Sequence, residues 1–344
     1  MFKCNRKPDF EQFLKVLKRE GKPTHLPFYE HYVSPGFIER RMGVELDLHG
    51  DERAYWRAYV DFWMGMGYDC VPMEVELNCR LGEGHGAASE GSEARAVIRR
   101  MRDYENYDWP DESNPIDFRH FETVAGMLPE GAKIVGGVGM GPYEWVSQMM
   151  GVMGLSYAIA DDPNLVDLMF DRVGNLIVSA DRQIATMDAV GALRQGDDLG
   201  FKTSTFLPPY LLRKYVFPIY ERQVAAAHAN GKPFVLHSCG NLAEVYDDLI
   251  DDCKIDAKHS FEDVILPVGD FKRLYGSRVT AVGGLDVDFI CRHSGEELRA
   301  YTRKHIEECF DDGYWALGTG NSLTDYMPVE NYLACLDEGL KVTA

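Results

Sequence analysis

Short apolar runs alternate with longer amphipathic stretches along this chain, and the alternation can be counted. The runs cover residues 26–32, 68–75, 133–139, 192–198, 233–239, 256–261, 279–286 and 314–321. Near-continuous apolar runs of this length suit parallel strands covered on both faces. Between them, residues 51–66 carry Tyr55, Trp56, Tyr59, Phe62 and Trp63 at helical spacing. Residues 209–230 open on Pro209 and close at Asn230-Gly231, which predicts a helix with a start and a stop. Residues 241–250, 295–310 and 328–340 also read as amphipathic helices, and 140–191 leaves room for two more. The longest connection, 76–132, contains a Gly/Ser/Glu-rich stretch at 82–93 that predicts a loop over the open end of the sheet.

Eight strands in strict alternation with helices predict an α/β chain folded as one (β/α)8 TIM barrel over 1–344. An N-terminal extension precedes the barrel, and long loops follow strands 2 and 3. A doubly wound sheet would need a Gly-x-Gly-x-x-Gly turn, and Gly137-Val138-Gly139-Met140-Gly141 does not supply it.

Charge narrows the partners. Against 55 acidic residues stand 36 basic ones, a net charge of −19, with no lysine/arginine cluster. Nucleic acid and anionic membrane are therefore poor partners. Residues 1–10 lack the apolar stretch of a secretion signal, and no apolar run approaches the ~18 residues of a membrane span. The eight cysteines are scattered without a Cys-x-x-Cys pair, so reduced thiols and a cytoplasmic location are expected.

Barrel enzymes place their chemistry at the C-terminal ends of the strands. Those ends here offer Glu30 and His31, Glu74 and Glu76, Asp197 and Asp198, His237 and Cys239, His259 and Glu262, Asp286, and Asn321. His237 and Cys239 are two apart on a strand and share a face, and a thiolate beside an imidazole can start a zinc site. The plainer alternative is a buried cysteine next to a histidine bonded to backbone. A third ligand is not forced by spacing; Cys79, Glu74, Glu76, His85 and Asp286 are candidates. Asp197 and Asp198, as consecutive strand residues, should face opposite ways, so one is expected in the site as acid or base and the other as a cap or turn residue. Glu74 and Glu76 share a face, which suits a substrate or metal role, or the catalytic acid, as well as it suits plain exposure. Glu30, His31, His259, Glu262, Asp286 and Asn321 complete the set as substrate contacts, with His259 and Glu262 placed to orient other groups. Met149, Met150 and Met153 read as core filling, His228 as core or surface, and the run Asp247, Asp248, Asp251, Asp252 as a solvated helix end.

Several of these segments, in this order, resemble a known family. Gly196-Asp197-Asp198-Leu199-Gly200, residues 208–218, 228–233, His237-Ser238-Cys239-Gly240-Asn241, His259-Ser260-Phe261-Glu262, Gly283-Gly284-Leu285-Asp286 and 318–331 are similar to the uroporphyrinogen decarboxylase superfamily, most of all to its corrinoid-dependent methyltransferase branch. The resemblance covers about 190–340 well and implies the same barrel. True decarboxylases of the family carry an Arg-Gln-Ala-Gly-Arg motif after the first strand and a Phe-Ser-Asp strand end. Tyr29-Glu30-His31-Tyr32-Val33 and Val71-Pro72-Met73-Glu74-Val75-Glu76 stand in those places, without the cationic clamp or the aspartate. The methyltransferase branch implies a corrinoid on a partner protein, and in its thiol-methylating members a zinc held by His-x-Cys and a later cysteine. His237 and Cys239 match the first two; Gly318-Thr319-Gly320-Asn321-Ser322 has no cysteine. The resemblance thus implies methyl transfer between a small methylated ether or amine and a corrinoid protein, zinc-assisted if the ligand set can be completed. A cofactor-free decarboxylase-like lyase and a non-catalytic ligand-binding barrel are the alternatives, and a homodimer is compatible with either.

Overall fold

The computed structural model describes residues 4–82 and 92–342. Seven strands form one all-parallel curled sheet in sequential order: β1 (Cys70–Val75), β2 (Lys133–Val138), β3 (Val190–Gly196), β4 (Phe234–His237), β5 (Ala257–His259), β6 (Thr280–Val282) and β7 (Trp315–Ala316). Helices lie between consecutive strands, as parallel neighbours require a crossover, and the arrangement is that of a TIM-like barrel. The register runs continuously, for example Gly196 opposite His237 and His237 opposite His259. Every strand but β1 stops earlier than its apolar run, because the chain leaves the ladder where the strand-end residues begin.

The first predicted strand, 26–32, is a correction. It is extended and lies beside β7, but it touches the sheet only through isolated bridges, Phe28 to Leu317 and Val33 to Leu323. No ladder joins it to β1 among the described residues. Its carbonyls on that side find other donors: the Arg6 guanidinium bonds both Leu26 O and Gly67 O, and that of Arg194 bonds His31 O. The β1 edge is served in the same way, with the Tyr59 hydroxyl donating to Pro72 O at 2.8 Å. Side chains thus satisfy backbone groups that a ladder would otherwise pair.

Inside the curl, Tyr29, Cys70, Val135, Ala192, Val235, Ala257, Val282 and Ala316 contribute one buried residue from each of the eight extended segments. The helix Phe10–Lys18, which the polar N-terminus did not announce, packs Phe10, Phe13 and Leu17 onto this cluster and closes the bottom. Its charged positions, Glu11, Lys15 and Lys18, lie off this apolar face, which is the part that burial selects.

Several helix predictions hold closely: Glu52–Gly65, Gly295–Cys309 and Val329–Leu340. Others need correction. The 209–230 stretch breaks into Pro209–Tyr215 and Phe217–Ala229, since Pro218 has no N–H to continue the ladder. Residues 241–250 begin as turns and end in a π-helical Asp248–Asp252. Residues 140–191 hold three helices, Pro142–Met150, Val152–Asp161 and Pro163–Thr186. Met149 and Met150 are buried, but Met153 is exposed. Most of the predicted 82–93 loop, with His85, lies outside the described residues. All eight cysteines are free, and no described helix is long and apolar enough to cross a membrane.

Candidate active site

Because β3, β4 and β5 are in register, their C-terminal ends bring Asp198, His237, Cys239 and His259 to one place. His237 is the hub. Its Nδ1 lies 2.7 Å from His259 Nδ1, and its Nε2 lies 3.4 Å from Cys239 Sγ and 3.7 Å from Asp198 Oδ1. The Asp198 carboxylate also accepts from the Cys239 backbone N–H at 3.0 Å, which ties the two loops together. Two further donors point at the sulfur: Ser260 Oγ and Asn321 Nδ2, each at 3.3 Å. Ser260 reaches it from a left-handed backbone, φ +80°, a conformation costly for a residue with a side chain.

His237, Cys239 and Asp198 form a group whose ligand atoms all lie within 4.8 Å of one another. A tetrahedral zinc with ordinary bond lengths holds a nitrogen and a sulfur roughly 3.5 Å apart and a nitrogen and an oxygen roughly 3.4 Å apart. The 3.4 Å and 3.7 Å separations come to within a few tenths of an ångström of that spacing. A second group, His31, His237 and His259, is as compact but does not suit a metal. The rings of His31 and His237 stack with centroids 4.0 Å apart and planes at 21°. Lone pairs lie in the ring plane, so those of stacked rings do not converge on one ion. The 2.7 Å between the His237 and His259 nitrogens is a hydrogen bond, too short for the roughly 3.3 Å of two ligands on one zinc.

Burial sets the protonation of the cluster. It drives His31 and His237 well below the ordinary histidine range and His259 down to about 3, with Lys258 and Arg194 adding to the effect on His237 and His259. All three are neutral imidazoles near pH 7, the form that binds metal. Burial and the Asp198 carboxylate push the Cys239 thiol up to about 12. The sulfur is therefore a thiol unless a cation draws off its proton, as a bound metal does.

Behind His31, the Arg194 guanidinium is buried and pairs with Glu74 at 2.5 Å. A lone arginine inside the apolar β3 run was the signal that could have found it, four residues before Asp198 on the same strand face. Lys258, also missed, is buried, bonds Ser260 O, and has its pKa drawn down by burial to about 8.

The other predicted residues separate into three places. Asp197 faces the helix layer: its carboxylate accepts from the N–H groups of Tyr143 (3.1 Å) and Glu144 (2.9 Å), at the start of Pro142–Met150, and from the Tyr220 hydroxyl at 2.7 Å. It caps a helix, and Gly141 is needed there because a Cβ would lie 2.2 Å from that of Asp197. Glu30 is likewise turned away, under the helix Val329–Leu340. It accepts from Thr319 N (2.5 Å), Thr319 Oγ1 (2.6 Å) and the Tyr332 hydroxyl (2.7 Å). Neither can touch a substrate at the strand ends, which corrects the roles expected for both. Glu262, Asp286 and Asn321 line a cleft of about 820 Å3 between the loops that follow β5, β6 and β7. Asp286 caps the helix Val287–Arg292 through Phe289 N at 2.8 Å. Asn321 belongs to both places, since it walls the cleft and donates to Cys239 Sγ.

Of the third-ligand candidates, Glu74 is taken by Arg194, Asp286 by its cap, Cys79 neighbours Tyr107, and Glu76 lies against Gly139. The residue that closes the group is Asp198. His228 sits on an exposed helix face bonded to Asp256, and Asp247, Asp248 and Asp251 pair with Arg278 or Arg213 at the surface.

With this geometry in hand, comparison with known proteins places the chain. The family model for uroporphyrinogen decarboxylase (URO-D) matches residues 69–339. The chain belongs to that family. A methyltransferase from Methanosarcina mazei has a similar structure, with a TM-score of 0.72 at 16% identity, covering 97% of this chain and 98% of that one. At that identity the likeness shows the fold. A Listeria monocytogenes protein described as a vitamin-B12 independent methionine synthase is more distant, with a TM-score of 0.48 at 13% identity over 92% of this chain and 95% of its own. No curated protein matches. The family match begins at Asp69, so the helix Phe10–Lys18 and the 26–32 segment lie before it.

Proposed function

We propose that this member of the URO-D family is a corrinoid-linked methyltransferase on a TIM-like barrel, with a zinc site made of His237, Cys239 and Asp198. The observation that carries the reading is that the Cys239 sulfur and an Asp198 carboxylate oxygen both stand near His237 Nε2 at separations close to those of a tetrahedral zinc, within one compact group. Zinc, when bound there, supplies a Lewis acid and leaves one coordination position for substrate. The fold shared with the Methanosarcina methyltransferase supports the assignment.

The chain's own residues do the rest. Ser260 and Asn321 steady negative charge on the Cys239 sulfur. The cleft beside Asn321 receives a small methylated amine or ether, and a corrinoid protein covers the open strand ends from above. When the methyl group leaves, the amine or alkoxide left behind takes up a proton. Lys258, buried and with its pKa drawn down to about 8, interacts electrostatically with this sulfur and is the acid we assign to that step. A decarboxylase needs free cations for an acidic substrate. Arg194, the one buried arginine among the described residues, is already paired with Glu74 and His31 O.

The test is direct. Purified protein should contain close to one zinc per chain, and with a methylated amine or ether it should convert cob(I)alamin to methylcobalamin, read by absorbance. Turnover of a carboxylated substrate with carbon dioxide release and no corrinoid would replace this reading with the lyase.

A further inference from the structure

We infer that His259 is a positioning residue: bonded to the backbone carbonyl of Thr319, it fixes which ring nitrogen of His237 carries the proton. The inference rests on the proposed metal site for its purpose, but its geometry stands without the metal. His259 Nε2 lies 3.1 Å from Thr319 O. A carbonyl oxygen only accepts, so Nε2 bears the hydrogen. A neutral imidazole has one N–H, so His259 Nδ1 presents a lone pair. That lone pair faces His237 Nδ1 at 2.7 Å, and His237 must donate from Nδ1. The lone pair of His237 is thereby forced onto Nε2, the nitrogen that faces Cys239 and Asp198. In the opposite tautomer, an N–H would point where the metal has to sit.

The surroundings are built around this bond. Gly283 adopts φ +75°, and a Cβ there would lie 2.3 Å from Thr319 O and 2.7 Å from His259 Nε2. Only glycine leaves the carbonyl and the imidazole free to meet. Thr319 is held in turn by Glu30, which takes both its N–H and its hydroxyl. The His259 ring is fully buried and stands edge-on to Tyr29, with centroids 5.3 Å apart at 83°. A relay of backbone carbonyl, imidazole and imidazole thus runs from the far wall of the sheet to the ligand position, in the manner of partners that orient metal-bound histidines elsewhere.

The experiment uses the full chain, zinc-free and zinc-loaded, as wild type, His259→Phe and His259→Asn. Long-range nitrogen–proton correlation spectra of the zinc-free wild type should show His237 protonated on Nδ1. His259→Phe keeps the bulk and removes the acceptor, so His237 should shift to a mixture or to the Nε2–H form. Zinc affinity, measured by chelator competition, should fall about 10- to 100-fold. His259→Asn loses more bulk but places an amide oxygen near the old Nδ1, so it should restore the tautomer and most of the affinity. A merely structural role predicts the reverse order, with Asn worse than Phe. Wild-type His237 protonated on Nε2, or a Phe variant with unchanged tautomer and affinity, would overturn the inference. If Phe at 259 does not fold, the wild-type and Asn spectra still decide it. A wild type that binds no zinc but shows the Nδ1–H form would sink the metal reading and leave the relay standing.

Discussion

Replacing Glu30 by glutamine removes one buried charge while keeping the shape that holds Thr319 in place. Burial raises the Glu30 carboxyl from 4.5 to about 7, against the pull of the Thr319 and Tyr332 donors. Below pH 4.5 the folded and unfolded chains both hold the proton; between there and about 7 only the folded chain does. Stability from this group is therefore greatest at acid pH, declines as pH rises through that window, and is flat above it. At about 1.4 kcal/mol per unit, the interval between 4.5 and about 7 corresponds to roughly 3 kcal/mol. Glu30→Gln should match wild type near pH 4.5 and become relatively more stable with rising pH, by up to roughly 3 kcal/mol at pH 8. Gln can fill the same bonds, its amide N–H donating to Thr319 Oγ1 and its oxygen accepting from Thr319 N and Tyr332. Other carboxyls raised by burial, such as Asp181 at about 7, tilt both curves equally and cancel in the difference. Urea unfolding at half-unit steps from pH 4.5 to 8 reads the result. Parallel curves for the two proteins, or a glutamine variant that loses ground as pH rises, would refute the reasoning.

Four further outcomes are expected. Asp198→Asn should strip the zinc, lowering affinity beyond the roughly 10- to 100-fold loss typical of groups behind a ligand, as elemental analysis and chelator competition will show. Ser260→Gly relieves the left-handed backbone but loosens the unfolded chain, so urea unfolding should move by less than about 1 kcal/mol, while Cys239 alkylates more slowly at fixed pH because a donor to its sulfur is gone. Gly141→Ala drives a methyl group into Asp197 and should cost about 1–3 kcal/mol by thermal or urea unfolding. Tyr332→Phe leaves the Tyr68 hydroxyl without its partner and deprives Glu30 of a donor, a loss of about 1–3 kcal/mol in the same assay.

Much of the fold could be read from alternation, because a parallel strand buried on both faces writes itself as a continuous apolar run. The failures share a cause. Residues 26–32 carry the same apolar signal as a strand, and periodicity cannot say whether the edge facing β1 meets a ladder or the side chains of Arg6, Arg194 and Tyr59. The break at 216 comes from Pro218, which was visible in the sequence but outweighed by the apolar pattern around it.

The site was legible to the extent that strand direction is. The rule of alternating faces anticipated that only one of Asp197 and Asp198 would look into the site, and the structure turns Asp198 inward and Asp197 to the start of a helix. That rule could not reveal that Asp198 completes the group around His237, since the pairing depends on the register of β3 against β4. Nor could it separate Glu30 from His31, one facing a helix and the other the interior, without knowing which face of 26–32 is inward. Once placed, Glu30 and His259 gain a common purpose. Thr319 accepts His259 with its carbonyl while Glu30 grips its N–H and hydroxyl, so a carboxylate remote from the strand ends bears on the direction of a lone pair at His237. A buried acid retained at a cost in stability above its pKa is then accounted for by what it holds still, and if Glu30→Gln disturbs neither the His237 tautomer nor zinc affinity, a neutral amide can hold Thr319 as well as the charge does.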